Sequence, residues 1–592
     1  MASAHEQGKK LTKNTFLILF AVAIPLTYFI LVTFVFPRPY FIQPADLEQD
    51  YYYNAKLVHD GFPPLGIQHP GTTIYELGAL ILSVTGDQLS QAQKFFNVAY
   101  FTIAIANIAG LIIITEGIFK DIPIGFSLLA LFSVISFPGW LAYSHSFGAD
   151  SFLTPVILAL LTCFWVSLDL PIKRRTILWA LTGALAGLSL AIKLTSLPVF
   201  FVVLVSSWIH AALTSRHAEQ RNRLILFQYF VMPVTSIASF LLFILPTFAR
   251  LPQIFINLSQ RHETHPQSFS PYAILWGLKS LGSAPYLFGY FLLIVLVAAA
   301  FMFIFARNII ITAAKKKPFD TESVFIRGLL LFFLILAFGY TLISVEGGVA
   351  YTAVSFDPGV FLRNTMPSIL FIPFAIAYIC QDYKARKKAY PVSGINWMAA
   401  AIGVITFGVV CGGYMNHRAD FIQYMNNTLT PTEETIRSYA DSGTRIAVWD
   451  GSPGNLLGEA SFHFWGNYAY AREFFDEELL KRYPDYTFLK LREVNRLITH
   501  EPYSASSPGL LGLWKMLFPS PYYIPHNDEL ITGESSGARI SVLTFPKQEL
   551  DAEKILMSDL LMLVRERFGE YVVIEREIGN IDWVIIVLSP RN

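Results

Sequence analysis

The apolar residues of this chain come in long, nearly uncharged blocks, and that feature decides what it can fold into. A helix crossing the hydrocarbon of a bilayer needs about 20 consecutive, mostly apolar residues. Blocks of that size lie near 15–36, 93–115, 122–140, 151–169, 176–192, 195–213, 224–246, 286–306, 328–344, 365–381 and 397–415. No soluble core of a 592-residue chain could bury them all. Charged residues are only 15% of the chain and hydrophobic ones 54%, against about 25% charged in ordinary globular domains. The sequence therefore reads as a polytopic α-helical membrane protein of about 11 transmembrane helices.

Charge and cysteine content exclude several functions. A formal net charge of +1 gives no footprint for a polyanion, so nucleic acid is not an expected partner. Cys163, Cys380 and Cys411 all fall inside apolar blocks and offer neither a zinc-ligand spacing nor a disulfide framework.

Lys and Arg mark cytoplasmic loops. The first block follows Lys9, Lys10 and Lys13 without a small-residue cleavage site at its end, the pattern of an uncleaved signal anchor. Alternate loops then carry Lys173, Arg174 and Arg175; Arg216, Arg221 and Arg223; Arg307 with Lys315, Lys316 and Lys317; and Lys384, Arg386, Lys387 and Lys388. Each cluster falls on the side of the N-terminus if the spans are counted as above, which places the C-terminus outside. Three long outer segments follow from that count, 37–92, 247–285 and 345–364.

Residues 1–415 thus form the membrane domain, with interfacial helices in the outer loop 37–92, and 416–592 an exterior α/β domain of ordinary polarity. Strand-like runs stand at RIAVW (445–449) and RISVLTF (539–545), and YVVIEREIGNIDWVIIVL reads as a hairpin turning at Gly579-Asn580. Residues 473–482 and 551–568 read as helices.

The first outer loop is QPADLEQDYYYNAKLVHDGFPPLGIQHPGTTIYELGALIL. Asp46 to Val58 has helical potential, His69-Pro70-Gly71 breaks the chain, and Thr72 to Val84 forms an amphipathic helix suited to lie along a membrane. Asp46, Glu48 and Asp50 alone could be a solvated loop face, and Tyr51 to Tyr53 an aromatic belt. Their clustering beside a membrane helix and a His-Pro-Gly break weakens that bland reading.

Taken with three later segments, this loop resembles the polytopic glycosyltransferases of the GT-C fold, among them the protein O-mannosyltransferases and the lipid A aminoarabinose transferases. The later segments are YSHSFGADSFLTPV, with Asp150 opening a span; GALAGLSLAIKLTSLPVF, with Lys193; and FLRNTMPSILFIPF, with Arg363 ahead of a span. The resemblance covers residues 15–415 in order and spacing. It departs at the first acid: family members often pair Asp and Glu side by side, whereas Asp46, Glu48 and Asp50 are separated.

The resemblance implies a GT-C-like fold and a hexosyl- or pentosyltransferase of cell-envelope glycosylation. The donor would be a polyprenyl-phosphate sugar, the acceptor a lipid, glycan or protein hydroxyl, and the outcome inversion at the anomeric carbon. A leaving phosphate needs fixed cations, for which Lys193 and Arg363 are the candidates; each could otherwise be a snorkelling or interfacial anchor. An acceptor hydroxyl needs a carboxylate to take its proton. Asp50, directly before the tyrosines, is the first choice and Asp46 the second, with Asp150 orienting acceptor or sugar. Glu48, Tyr52, Tyr53, His69 and His265 are candidate substrate contacts. The histidines, including His59, His145 and the run Arg261 to His265, do not make a zinc spacing, so no cofactor is required, and a divalent cation stays an open addition. The expected location is a bacterial inner (plasma) membrane, with the active site and C-terminal domain on the periplasmic face.

Two readings compete. A lipid-linked glycan polymerase or oligosaccharide transferase would share the membrane and donor logic. A transporter or flippase with an exterior domain should carry ionisable or helix-breaking positions near mid-span and matched halves; here the polar residues crowd the outer ends.

Overall fold

The computed structural model describes residues 2–41, 48–65, 71–216, 223–251, 285–315, 322–341, 366–387 and 393–424. In the C-terminal region it describes 444–449, 458–467, 474–484, 486–489, 539–546, 571–577 and 583–590, with isolated further positions. The chain packs as two compact units. One comprises Met1–Pro37, Ile67–Leu77 and Asn97–His417; the other Arg38–Gly66, Gly78–Phe96 and Arg418–Asn592. Most of the first outer loop thus groups with the C-terminal region.

The first unit is a helical bundle, and the chain is a multi-pass integral membrane protein. Among the described residues ten helical segments are long and apolar enough to cross a membrane. They correspond to α1 (Ala2–Ile30), α4 (Ala92–Gly117), α7 (Ala149–Ser167), α8 (Ile172–Ile192), α9 (Leu197–Arg216), α10 (Arg223–Ile244), α11 (Pro285–Lys315), α12 (Glu322–Thr341), α13 with α14 (Met366–Ile369 and Phe371–Lys387) and α15 (Ser393–Tyr424). Large apolar side chains such as Phe230, Leu242, Phe303 and Ile405 stand exposed, as lipid-facing positions do when tails rather than water surround them.

The apolar block at 122–140 is not one long helix. It divides into α5 (Ile124–Ile135) and α6 (Pro138–Tyr143). Pro138 disfavours helical backbone at Phe137, which lies extended at φ −62°, ψ 122°. Helix α5 has 12 residues, about 18 Å of rise, short of a full crossing. Packing nonetheless carries the pair across the bundle. At one end the Lys13 ammonium of α1 donates to the carbonyls of Phe119 and Lys120, at 3.0 and 3.2 Å, and to that of Ile122. At the other the Tyr28 hydroxyl of α1 donates to the carbonyl of Leu141. From Lys13 to Tyr28 is roughly 22 Å of helix. Among the described residues the broken pair α5–α6 therefore adds a further traverse to the ten, and α7 starts on the face opposite Lys13.

Helix α8 packs tightly on α10. A Cβ at Gly183 would fall 2.5 Å from the Met232 carbonyl, and one at Gly187 2.2 Å from that of Ser236. The backbones approach through these two glycines, as small residues permit in membrane helices. Ser236 and Ser239 hydroxyls donate to the carbonyls of Gly183 and Ala184 at 3.0 and 2.7 Å. This seam fixes the end of α8, where Lys193 follows.

In the second unit, α2 (Glu48–His59) packs beside α16 (Gly458–Gly466), with α17 (Asp476–Arg482) further along the chain. A five-stranded sheet runs in the order β2-β1-β3-β5-β4, built from β1 (Thr444–Trp449), β2 (Tyr486–Leu489), β3 (Arg539–Pro546), β4 (Tyr571–Glu577) and β5 (Trp583–Pro590). Strand β1 pairs in parallel with β2 and β3, while β5 pairs antiparallel with β3 and β4. The anticipated hairpin is present, with Glu577 opposite Val584; its turn and the helix expected at 551–568 lie outside the described residues. Helix α3 (Thr72–Thr85) follows Gly71, whose φ of +55° is a conformation glycine adopts without a Cβ penalty.

Candidate active site

Lys193 stands where α8 stops. Its backbone is extended, at φ −158° and ψ 130°, and a 3-10 turn, Leu194–Ser196, leads into α9. The Ser196 hydroxyl and N–H donate to the Lys193 carbonyl at 2.9 and 3.1 Å, satisfying an acceptor the helix end would leave bare. Asp150 is the second residue of α7, whose N-terminal dipole favours a carboxylate there. The Lys193 Nζ donates to both Asp150 oxygens, at 2.8 and 2.7 Å. The two side chains are only 10% and 8% exposed, so the pair is a buried ion pair. The short helix α13 packs against α7, α9 and the Leu194–Ser196 turn. Segments singled out separately in the sequence thus meet on the face of the bundle opposite Lys13. His145 is buried nearby in sequence, its ring 4.0 Å from that of Tyr100.

The second unit holds Asp50, fully buried on α2. Asn54, one turn on, donates from Nδ2 to Asp50 Oδ1 at 2.5 Å and to the Asp50 carbonyl at 2.8 Å. Glu48 is spent on Arg38, at 3.1 Å with both side chains buried. Lys56 bonds Glu478 at 3.2 Å and the Asp87 carbonyl at 2.6 Å, and lies over the Phe475 ring.

Tyr52 and Tyr53 are fully buried, and they wall α2 rather than stand open to a groove. Tyr52 stacks with Phe96 and meets Phe95 edge-on. The Tyr53 hydroxyl bonds His463 Nδ1 at 2.8 Å, and His463 Nε2 bonds the Tyr40 hydroxyl at 2.7 Å. Tyr40 donates in turn to Glu459 at 2.5 Å. The Nε2–H tautomer satisfies all three bonds with Glu459 a carboxylate: Tyr53 donates to Nδ1, Nε2–H donates to Tyr40, and Tyr40 donates to Glu459. Burial, helped by the Lys56 and Arg482 charges, pulls the His463 pKa down to about 3. Burial likewise pushes the phenols of Tyr40, Tyr52 and Tyr53 well above their ordinary value. His463 and the tyrosines are thus neutral links in one hydrogen-bonded chain. Gln49 adds a bond to the Phe462 carbonyl at 3.1 Å.

His463 and Glu459 were not legible as partners of the first loop, since 410 positions separate Tyr53 from His463. The weak sequence signal was a buried-type histidine in the amphipathic run GEASFHFWG. Asp46, His69, His265 and Arg363 lie outside the described residues. Among the described residues one group has ligand atoms close enough for a cation, His59, Asp60 and Asp87, all within 4.8 Å. His59 and Asp60 already share a 3.1 Å contact, and the Lys56 ammonium sits on the Asp87 carbonyl, so the group carries no functional assignment.

No family model matches the sequence, and no curated protein does. Among solved structures the chain is similar to ArnT from Cupriavidus metallidurans, crystallised bound to undecaprenyl phosphate. Identity is 11% and the TM-score 0.45, over 96% of this chain and 97% of that one. It is also similar to the Archaeoglobus fulgidus oligosaccharyltransferase in complex with Zn and sulfate, at 12% identity and a TM-score of 0.36, over 84% of this chain and 70% of that one.

Proposed function

We propose that this protein is a GT-C-type membrane glycosyltransferase. It moves a sugar from a polyprenyl-phosphate donor to an acceptor hydroxyl, on the membrane face opposite its basic N-terminus and with inversion. The observation that carries the reading is the buried Asp150–Lys193 pair. Both residues belong to the segments that bear the sequence resemblance, and they meet at the far end of the bundle, where a lipid phosphate would lie.

The chemistry needs little else. The acceptor oxygen attacks the anomeric carbon, the bond from that carbon to the phosphate oxygen breaks, and its electron pair stays on the phosphate. Lys193, held by Asp150, supplies a fixed N–H donor to that developing charge. Arg363, three residues before α13 in sequence, is assigned the second cation because Arg suits bidentate phosphate contact. Asp150 then serves to fix Lys193 rather than to orient the sugar. Asp50 takes the hydroxyl proton, with Asp46 as the alternative base. The bacterial inner membrane, with the C-terminal region on its periplasmic side, is the setting this reading adopts.

The test is turnover of a panel of undecaprenyl-phosphate sugars by the full chain in nanodiscs, read as released undecaprenyl phosphate. Asp50→Asn keeps the shape and removes the basicity. We expect it to abolish transfer while leaving undecaprenyl-phosphate binding within a few-fold, because a base acts in the transition state. If Asp46→Asn is the inactive variant instead, the base moves four residues upstream. Full activity in both, and in Lys193→Met, would refute the transferase reading.

A further inference from the structure

Asn54 links Asp50 to the turn that ends the first-loop helix. Its side chain is fully buried. Nδ2 donates to the Asp50 carboxylate, and Oδ1 accepts from the Leu65 N–H at 2.6 Å, beyond the turn at Gly61. The second bond fixes the amide's orientation. Reversing it would set the NH2 group against the Leu65 N–H, so the donor end must face Asp50. A donor to a carboxylate favours its ionised form, and that is the form able to take a proton.

We infer that Asn54 is a positioning residue of the Asp50 carboxylate, holding it in one rotamer and donating to it for proton abstraction. The inference rests on the reading of Asp50 as the base. Around α2 the titratable groups form further contacts of their own: Glu48 with Arg38, Lys56 with Glu478, Glu459 with Tyr40, and His463 with two tyrosines. Asn54 donates directly to the Asp50 carboxylate from the next turn of the same helix.

A purely structural role would make Asn54 only the staple between helix and turn, and two substitutions separate the roles. Asn54→Asp keeps an acceptor for Leu65, loses the donor to Asp50 and adds a like charge beside it. Asn54→Ala loses both bonds. Each is assayed in the full chain for turnover of the undecaprenyl-phosphate sugar that the wild type accepts, across pH, with undecaprenyl-phosphate binding measured alongside. In both variants we expect turnover to fall by about tenfold to a hundredfold at neutral pH, the scale of a misplaced catalytic group. The acid limb of the profile should move upward, further in Asn54→Asp, with binding within a few-fold. If Asn54→Asp gives the wild-type rate and profile while Asp50→Asn is inactive, the inference is overturned and the base assignment stands. If Asp50→Asn is itself fully active, the underlying reading fails first. Should one variant not fold, the limb position of the other decides.

Discussion

Breaking the Asp150–Lys193 pair should be costly, and unequally so for its two halves. The attraction between unit charges 2.7 Å apart is about 6 kcal/mol at an effective dielectric constant of about 20. Most of that offsets the desolvation of two groups that are 10% and 8% exposed. Removing one partner leaves the other charge buried, a loss of about 3–5 kcal/mol. Lys193→Met strands a carboxylate, but at a helix N-terminus that returns about 0.3–1 kcal/mol. Asp150→Asn strands an ammonium yet keeps one acceptor oxygen for it, so it falls at the lower end of the range. The double variant Asp150→Asn, Lys193→Met leaves no uncompensated charge and should cost less than the sum of the single ones by about 2–3 kcal/mol. Unfolding of the purified protein in mixed micelles of rising SDS fraction, followed by tryptophan fluorescence, measures all four corners of the cycle. Additive costs, or single variants within about 0.5 kcal/mol of wild type, would refute the buried pair and with it the placement of Lys193.

Two further expectations follow from the packing. His463 is neutral in the folded chain with a pKa near 3, against 6.5 when exposed, so the unfolded state binds the extra proton between those values. Stability should be unaffected above pH 6.5 and fall on acidification towards pH 3, by up to about 1.4 kcal/mol per unit. In a denaturant series His463→Gln should flatten that limb, and an unchanged slope would remove His463 as its source. For topology, cysteine reporters at Lys120 and Lys173 should label from the same membrane face, the cytoplasmic one, because α5–α6 crosses and α7 returns. Labelling from opposite faces would mean that α5–α6 turns back within the membrane.

What the sequence determined is the membrane architecture and the outlines of the C-terminal sheet. Span positions follow from block length, because a helix must be long enough to satisfy its own backbone across the hydrocarbon. Strands β1, β3, β4 and β5 were legible from their apolar, β-branched runs, whereas β2, four residues long, was too short to signal itself. The break between α5 and α6 was marked by Pro138, but inside a continuous apolar block no periodicity shows which way the chain continues. Only the contacts of Lys13 and Tyr28 with that segment decided the crossing. Lys193 and Asp150 could be read as helix ends on one face, yet helix-end position says nothing about which charge meets which. Their pairing depends on how α7 and α8 are brought together, with α8 seated on α10 at Gly183 and Gly187. The chain from Tyr53 through His463 to Glu459 was furthest out of reach, because hydrogen bonds between residues some 400 positions apart leave no local pattern in either segment. Local sequence sets what each segment can become; tertiary packing chose the partners that neutralise its buried charges and satisfy its buried donors.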